Sequence, residues 1–200
     1  MARRAPGADA ADYFPAAIYN RVLAGAFTSR LNLNLREDKG YTYGARGYFN
    51  RWARAGFYAL SAKVKADTTR ASIDEMIGEL NGIGGDKPIT QEERDQAVGG
   101  YLLGFPGRFE NMGSVAGQFA SLVLDGHGAE WYGQWPKKVA AVDLAAAEAA
   151  AKTYSDPKDF VLIVAGDYEK LNQSMNGLGL VIKRFTAQGA PFDAGKSKKK

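Results

Sequence analysis

The chain has 200 residues, a single histidine and no cysteine. That inventory excludes a zinc site built by this chain alone, which would draw three or four ligands largely from those two residue types, and it equally excludes a thiol nucleophile or a disulfide framework. The net charge of +4 equals the contribution of Lys196, Lys198, Lys199 and Lys200, so the rest of the chain is neutral and offers no broad basic surface for nucleic acid.

Hydrophobic residues at 46% and charged residues at 24% suit one globular domain with a buried core. Residues 1–10 read as a disordered or linker start, 11–186 as one folded domain, and 187–200 as a disordered basic tail. No membrane span or signal peptide is apparent.

Phe14, Ala17, Ile18, Val22 and Ala26 recur at three- and four-residue steps, which predicts a first helix from about Ala11 to Gly25. Thr28 or Ser29 can cap a short second helix carrying Leu31 and Leu35, and Gly40 can end it. The period then changes to two: Tyr41, Tyr43, Ala45, Gly47 and Phe49 alternate, as do Tyr58, Leu60, Ala62 and Val64. Two antiparallel strands follow, joined by an exposed loop whose Arg51, Trp52 and Arg54 pack over the sheet edge.

Asp67 or Thr68 can cap a third helix bearing Ile73, Met76, Ile77, Leu80 and Ile83, stopped by Gly84 and Gly85. Thr90 and Glu93 form a capping box, so a fourth helix begins at Gln91 and stops near Pro106. Val115, Phe119, Leu122 and Val123 mark a fifth, while Trp131, Tyr132 and Trp135 fall in a connection toward Pro136. Asp143 caps an alanine-rich sixth helix from Leu144 to Tyr154. Phe160 to Ala165 is a continuous apolar run of the kind that forms a central strand, Tyr168 to Leu178 a short helix, and Leu180 to Phe185 an edge strand. Strands and helices are partly segregated, which gives an α+β class: a mixed, largely antiparallel sheet backed by helices.

The usual chemical motifs fail. His127 lies in the turn-like Asp125-Gly126-His127-Gly128 and reads as a solvated loop residue, with no Gly-x-Ser-x-Gly elbow to supply a serine partner. Gly195-Lys196-Ser197 lacks the first glycine of a phosphate loop, since position 190 is alanine. Gly82, Gly84 and Gly85 follow a helix instead of a strand, and Lys87 occupies the third glycine position of a dinucleotide fingerprint. Glu92 and Glu93 sit in a first helical turn, where the macrodipole accounts for them.

One ordered set of segments is specific. Asn20-Arg21-Val22-Leu23-Ala24-Gly25, Ser29-Arg30-Leu31 and Leu35-Arg36-Glu37-Asp38-Lys39-Gly40-Tyr41-Thr42-Tyr43-Gly44 resemble the insulinase/pitrilysin family of zinc metallopeptidases, which includes the mitochondrial processing peptidases. The likeness is to the family's second, non-catalytic half, with Ala24 in place of the usual second glycine of the first motif. Phe105-Pro106-Gly107-Arg108-Phe109-Glu110 and Val161-Leu162-Ile163-Val164-Ala165-Gly166-Asp167 continue it in family order, over roughly residues 12–168.

The resemblance implies a chain that is inactive alone. The zinc would be carried by a catalytic domain or subunit of the same family, whose His-x-x-Glu-His helix is absent here, and the two halves would close around an extended peptide. It also implies a first strand upstream of Ala11, so the chain reads as a truncated half. Arg36 and Tyr41 fall at the family's substrate-binding Arg/Tyr pair, and Tyr43 and Phe49 follow on the same strand face. A structural relative lacking any peptidase role is the alternative, and whether the chain self-associates stays open. A bacterial cytoplasmic or periplasmic location is expected.

Overall fold

A computed structural model describes residues 1–175 and 177–192. The lysine-rich end at 196–200 lies outside the described residues. Three strands, β1 (Ala2–Ala5), β2 (Thr42–Arg51) and β3 (Gly56–Val64), form an antiparallel sheet in the order β1-β3-β2. β3 is central, with Tyr48 opposite Ala59 on one side and Arg3 opposite Tyr58 on the other.

β1 occupies part of the segment expected to be an unstructured start. It is too short to carry a period and holds two arginines, so its pairing comes from tertiary contact. Arg3 anchors it: the guanidinium donates to the Thr153 carbonyl at 2.8 Å and pairs with Asp159 at 3.0 Å.

The helices pack on one face of this sheet. α1 (Tyr13–Asn20) runs into a π-helical turn (Arg21–Gly25), and α2 (Arg30–Asn32) into a second one (Leu33–Asp38). α3 (Thr69–Gly84), α4 (Gln91–Gly104), α5 (Met112–Asp125), α6 (Trp131–Ala140) and α7 (Leu144–Tyr154) follow, then α8 (Tyr168–Met175). Local chemistry sets several starts. The Thr90 hydroxyl accepts from the Glu93 amide and the Glu93 carboxylate from the Thr90 amide, a complete capping box, while Asn111 and Asp143 cap α5 and α7.

Tyr19, Tyr58, Leu23, Leu31, Leu35, Leu60 and Leu80 are essentially inaccessible at the sheet–helix interface. Phe49 stacks on Tyr58 with ring centroids 4.3 Å apart and packs edge-on to Tyr154, so it is half-buried against this core. Arg51 covers Phe49 and Tyr13 while donating to the Gly7 carbonyl, and Trp52 packs against Phe57, close to the sheet-edge packing expected of this loop.

Four other expectations are corrected. Trp131, Tyr132 and Trp135 stand on α6, a helix that carries Pro136 in its interior. Val161 exchanges two backbone hydrogen bonds with Ala2, but it forms only an isolated bridge, and Val161 and Ile163 are exposed; the apolar run is therefore no central strand. Residues 180–185 form no strand beyond a bridge from Phe185 to Pro191, which closes a turn within the expected tail. His127 is half-buried and stacks on Trp131, 3.7 Å between centroids, instead of standing in solvent.

Candidate functional site

The segment from Ala26 to Ala45 is a hairpin of short helix and strand, shaped by buried polar side chains. Asn32 is its centre. Its amide nitrogen donates to the carbonyls of Ala26 and Ala45, both at 2.9 Å, and to the Ser29 hydroxyl at 3.1 Å; its carbonyl oxygen accepts from the Ala45 amide at 2.8 Å. β2 is an edge strand, and Asn32 satisfies the outward groups of Ala45 that no strand partner reaches. Asn34 ties the same turn to α3 by donating to Glu75 and Glu79, each at 2.9 Å.

The chain then reverses. The Lys39 amide donates to the Asn34 carbonyl and the Tyr41 amide to the Leu35 carbonyl, closing the turn, with Gly40 at φ +63° in the left-handed region that favours glycine. Arg36 and Tyr41 therefore stand at the two ends of one short backbone ring, anchored from beneath by the fully buried Leu35.

Arg36 is partly exposed. Its guanidinium lies 4.1 Å from the Phe27 ring centroid, and its solvent-shielded Nη1 lies 3.1 Å from the Glu37 carboxylate, an ion pair out of line for a good hydrogen bond. It is a cation held in place by an aromatic face, with donors left over. Tyr41 is half-buried against the core, and its carbonyl accepts from the Lys65 amide. Beside it, Asp38 accepts from the Lys39 ammonium at 3.1 Å and pushes that ammonium's pKa up.

Tyr43 departs from the expected face. A β-bulge lies between Thr42 and Ala45, where the Thr42 hydroxyl donates to the Lys63 carbonyl at 2.7 Å and accepts from the Gly44 amide at 3.1 Å. The extra residue resets the alternation, so Thr42 and Ala45 are both buried while Tyr43 projects fully into solvent. Sequence reasoning missed Asn32, Asn34 and Phe27, the groups that fix this turn; a buried asparagine in a short helix leaves no periodic signal. It missed both π turns too, and such turns are rare and concentrate at functional places.

Two cavities lie elsewhere. One of about 70 Å³ sits beside Arg21 and Glu93, and one of about 250 Å³ between α1, α5 and α6; neither takes in Arg36, Tyr41 or Tyr43. Among the described residues no three His, Cys, Asp or Glu side chains come together as metal ligands, and no helix is long and apolar enough to cross a membrane. With one histidine and no cysteine, the donor set does not fit a zinc ion.

Residues 1–101, half of the chain, match the model of the peptidase M16 inactive domain. Among solved structures, the fold is similar to a peptidase M16 inactive domain from Pseudomonas fluorescens, at 18% identity and a TM-score of 0.70 over 79% of this chain and 38% of that one. It is likewise similar to the inactive peptidase domain of a Bordetella parapertussis protein, at 17% identity and a TM-score of 0.67 over 79% and 85%. A chain of Complex III2 from Candida albicans aligns at 15% identity and a TM-score of 0.65 over 76% and 38%. The chain thus spans well under half the length of the Pseudomonas and Candida chains. No curated protein matches the sequence.

Proposed function

Because the chain belongs to the peptidase M16 inactive-domain family, we propose that it is the non-catalytic, substrate-binding half of a zinc metalloendopeptidase. In this reading it clamps an extended peptide against a zinc site carried by another domain or subunit. The supporting observation is the closed turn that holds Arg36 and Tyr41 at its two ends, with the guanidinium braced on Phe27 and paired only with the exposed Glu37 carboxylate among the described residues.

A guanidinium and a phenol hydroxyl so held can both donate to the carbonyl of the bond being cut. They donate more strongly as charge grows on its oxygen, which is how fixed donors lower a barrier. The zinc supplies the activated water when the other half is present. This chain's part is to bind, orient and polarise the peptide, with Tyr43 a solvent-facing contact at the mouth of the turn.

The experiment adds the zinc-bearing half and compares peptide hydrolysis by wild type, Arg36→Ala and Tyr41→Phe. Unchanged rates in both variants would remove the proposed role. A purely structural subunit is the second reading, favoured by the likeness to a Complex III2 chain. It predicts assembly with partners and no saturable peptide binding, as read by fluorescence polarisation of a labelled unfolded peptide.

A further inference from the structure

The larger cavity is lined by groups that stand without partners. α5 ends at Asp125, where Gly126 takes a left-handed φ of +76° and the His127 amide donates back to the Leu122 carbonyl at 2.8 Å. This cap fixes Asp125 and His127 on either side of one turn at the cavity wall. A carboxylate at a helix C-terminus faces the negative end of the dipole and calls for a cation. Among the described residues Asp125 has none: no ion pair or side-chain hydrogen bond reaches it.

Arg108 lines the same cavity with its guanidinium 5.2 Å from the Trp135 ring centroid, and that guanidinium too makes no ion pair or hydrogen bond among the described residues. The two opposite charges share one cavity and do not meet. His127 lies flat on Trp131, 5° from parallel, with Nε2 shielded from solvent and unpartnered. By contrast, the Tyr132 hydroxyl is already spent on Gln118, and Ser121 on the Gly117 carbonyl.

We propose that this cavity binds a small zwitterion of the α-amino-acid class. The ligand's carboxylate faces Arg108 and its ammonium faces Asp125, with Trp131 and Trp135 also on the cavity wall. The cavity's volume of about 250 Å³ suits one amino acid and not an extended peptide. A guanidinium matches a carboxylate by paired donors, and a carboxylate matches an ammonium by charge-assisted hydrogen bonds. His127 Nε2 gains a polar neighbour from either end of the ligand. The site shares no residue with the Arg36/Tyr41 turn and stands or falls independently of it.

The test uses the full chain carrying Trp52→Phe, so that emission reports only Trp131 and Trp135. Free leucine, methionine and phenylalanine are titrated by fluorescence and by calorimetry, beside N-acetyl-leucine, which lacks the ammonium, and leucinamide, which lacks the carboxylate. Saturable binding of at least one free amino acid is expected, weakened about tenfold or more by either modification and by Arg108→Gln or Asp125→Asn. Absence of saturable binding up to the solubility limits overturns the proposal, as does equal affinity for the blocked compounds. That comparison needs only the Trp52→Phe protein, so it decides the matter even where an Arg108 or Asp125 variant fails to fold.

Discussion

The side chain of Asn32 makes with Ala45 both hydrogen bonds that a neighbouring strand would make, donating to its carbonyl at 2.9 Å and accepting from its amide at 2.8 Å. One residue thus ends the sheet at this point and locks the helical turn to β2. Asn32→Ala leaves both backbone groups of Ala45 buried and unpaired, and each such group costs about 1–3 kcal/mol. The expected fall in Tm is roughly 2–4 °C per kcal/mol for a chain of this size, read by thermal denaturation followed by circular dichroism. Asn32→Asp keeps the acceptor and loses the donor, and it buries a charge, so it is no milder.

Gly47 and Ala24 are complementary. A Cβ on Gly47 would lie 2.8 Å from the Ala24 Cβ and 2.5 Å from the Asn20 side-chain Oδ1. The alanine at 24 is therefore accommodated because position 47 carries no side chain. Gly47→Ala is expected to destabilise by about 1–3 kcal/mol through overpacking. Gly78, exposed within α3 with no atom near its Cβ position, should give the opposite sign: Gly78→Ala stabilises by up to about 1 kcal/mol. Chemical denaturation midpoints of the two variants check the pair.

This contrast also marks how far the sequence could be read. The Thr90/Glu93 capping box and the Gly40 turn are local, each needing only residues within a few positions, and both appear where the spacing puts them. The β2–β3 hairpin was legible because one face is buried and alternation follows. What failed depends on distant partners. An apolar run such as 160–165 has the composition of a buried strand, yet only Val161 finds a partner, in Ala2. The bulge that turns Tyr43 outward is set by the Thr42 hydroxyl and by Asn32, neither of which disturbs the pattern of apolar residues. Pro136 suggested a connection, but α6 holds a proline in its interior because the aromatic residues around it bury against α1 and α4.

Glu93 gives a pH dependence of definite sign. Burial pushes its carboxyl upward, but hydrogen bonds from the Arg30 guanidinium, the Thr90 amide and the Thr90 hydroxyl, together with the Arg30 charge, outweigh that and hold it below the usual 4.5. Arg30 approaches in fork geometry, 2.6 Å to each carboxylate oxygen. Since the folded pKa is the lower one, this stabilisation is complete above the unfolded value and lost as pH falls through the folded value. Glu93→Gln, which can still serve the capping box, should lower Tm near neutral pH and converge with wild type in acid. Parallel Tm curves for the two proteins between neutral and acidic pH would rule out this account.

Arg36 and Tyr41 offer a separation of stability from function. Among the described residues Arg36 makes only the Glu37 pair and the Phe27 contact, both with exposed partners, so Arg36→Ala should cost less than about 1 kcal/mol of stability. Tyr41→Phe removes one hydroxyl for which no hydrogen bond is formed among the described residues, and should be equally mild. Their effect on peptide hydrolysis in the presence of the zinc-bearing half should be far larger, on the order of a hundredfold in kcat for each donor lost, because a fixed donor acts mainly on the charge that develops during reaction. A donor that acts on the transition state lowers kcat, whereas one that merely grips the peptide raises KM. The Asn32 variants are the control: they loosen the turn without removing either donor, so their activity should fall with the fraction unfolded and recover on cooling, while that of Arg36→Ala should not.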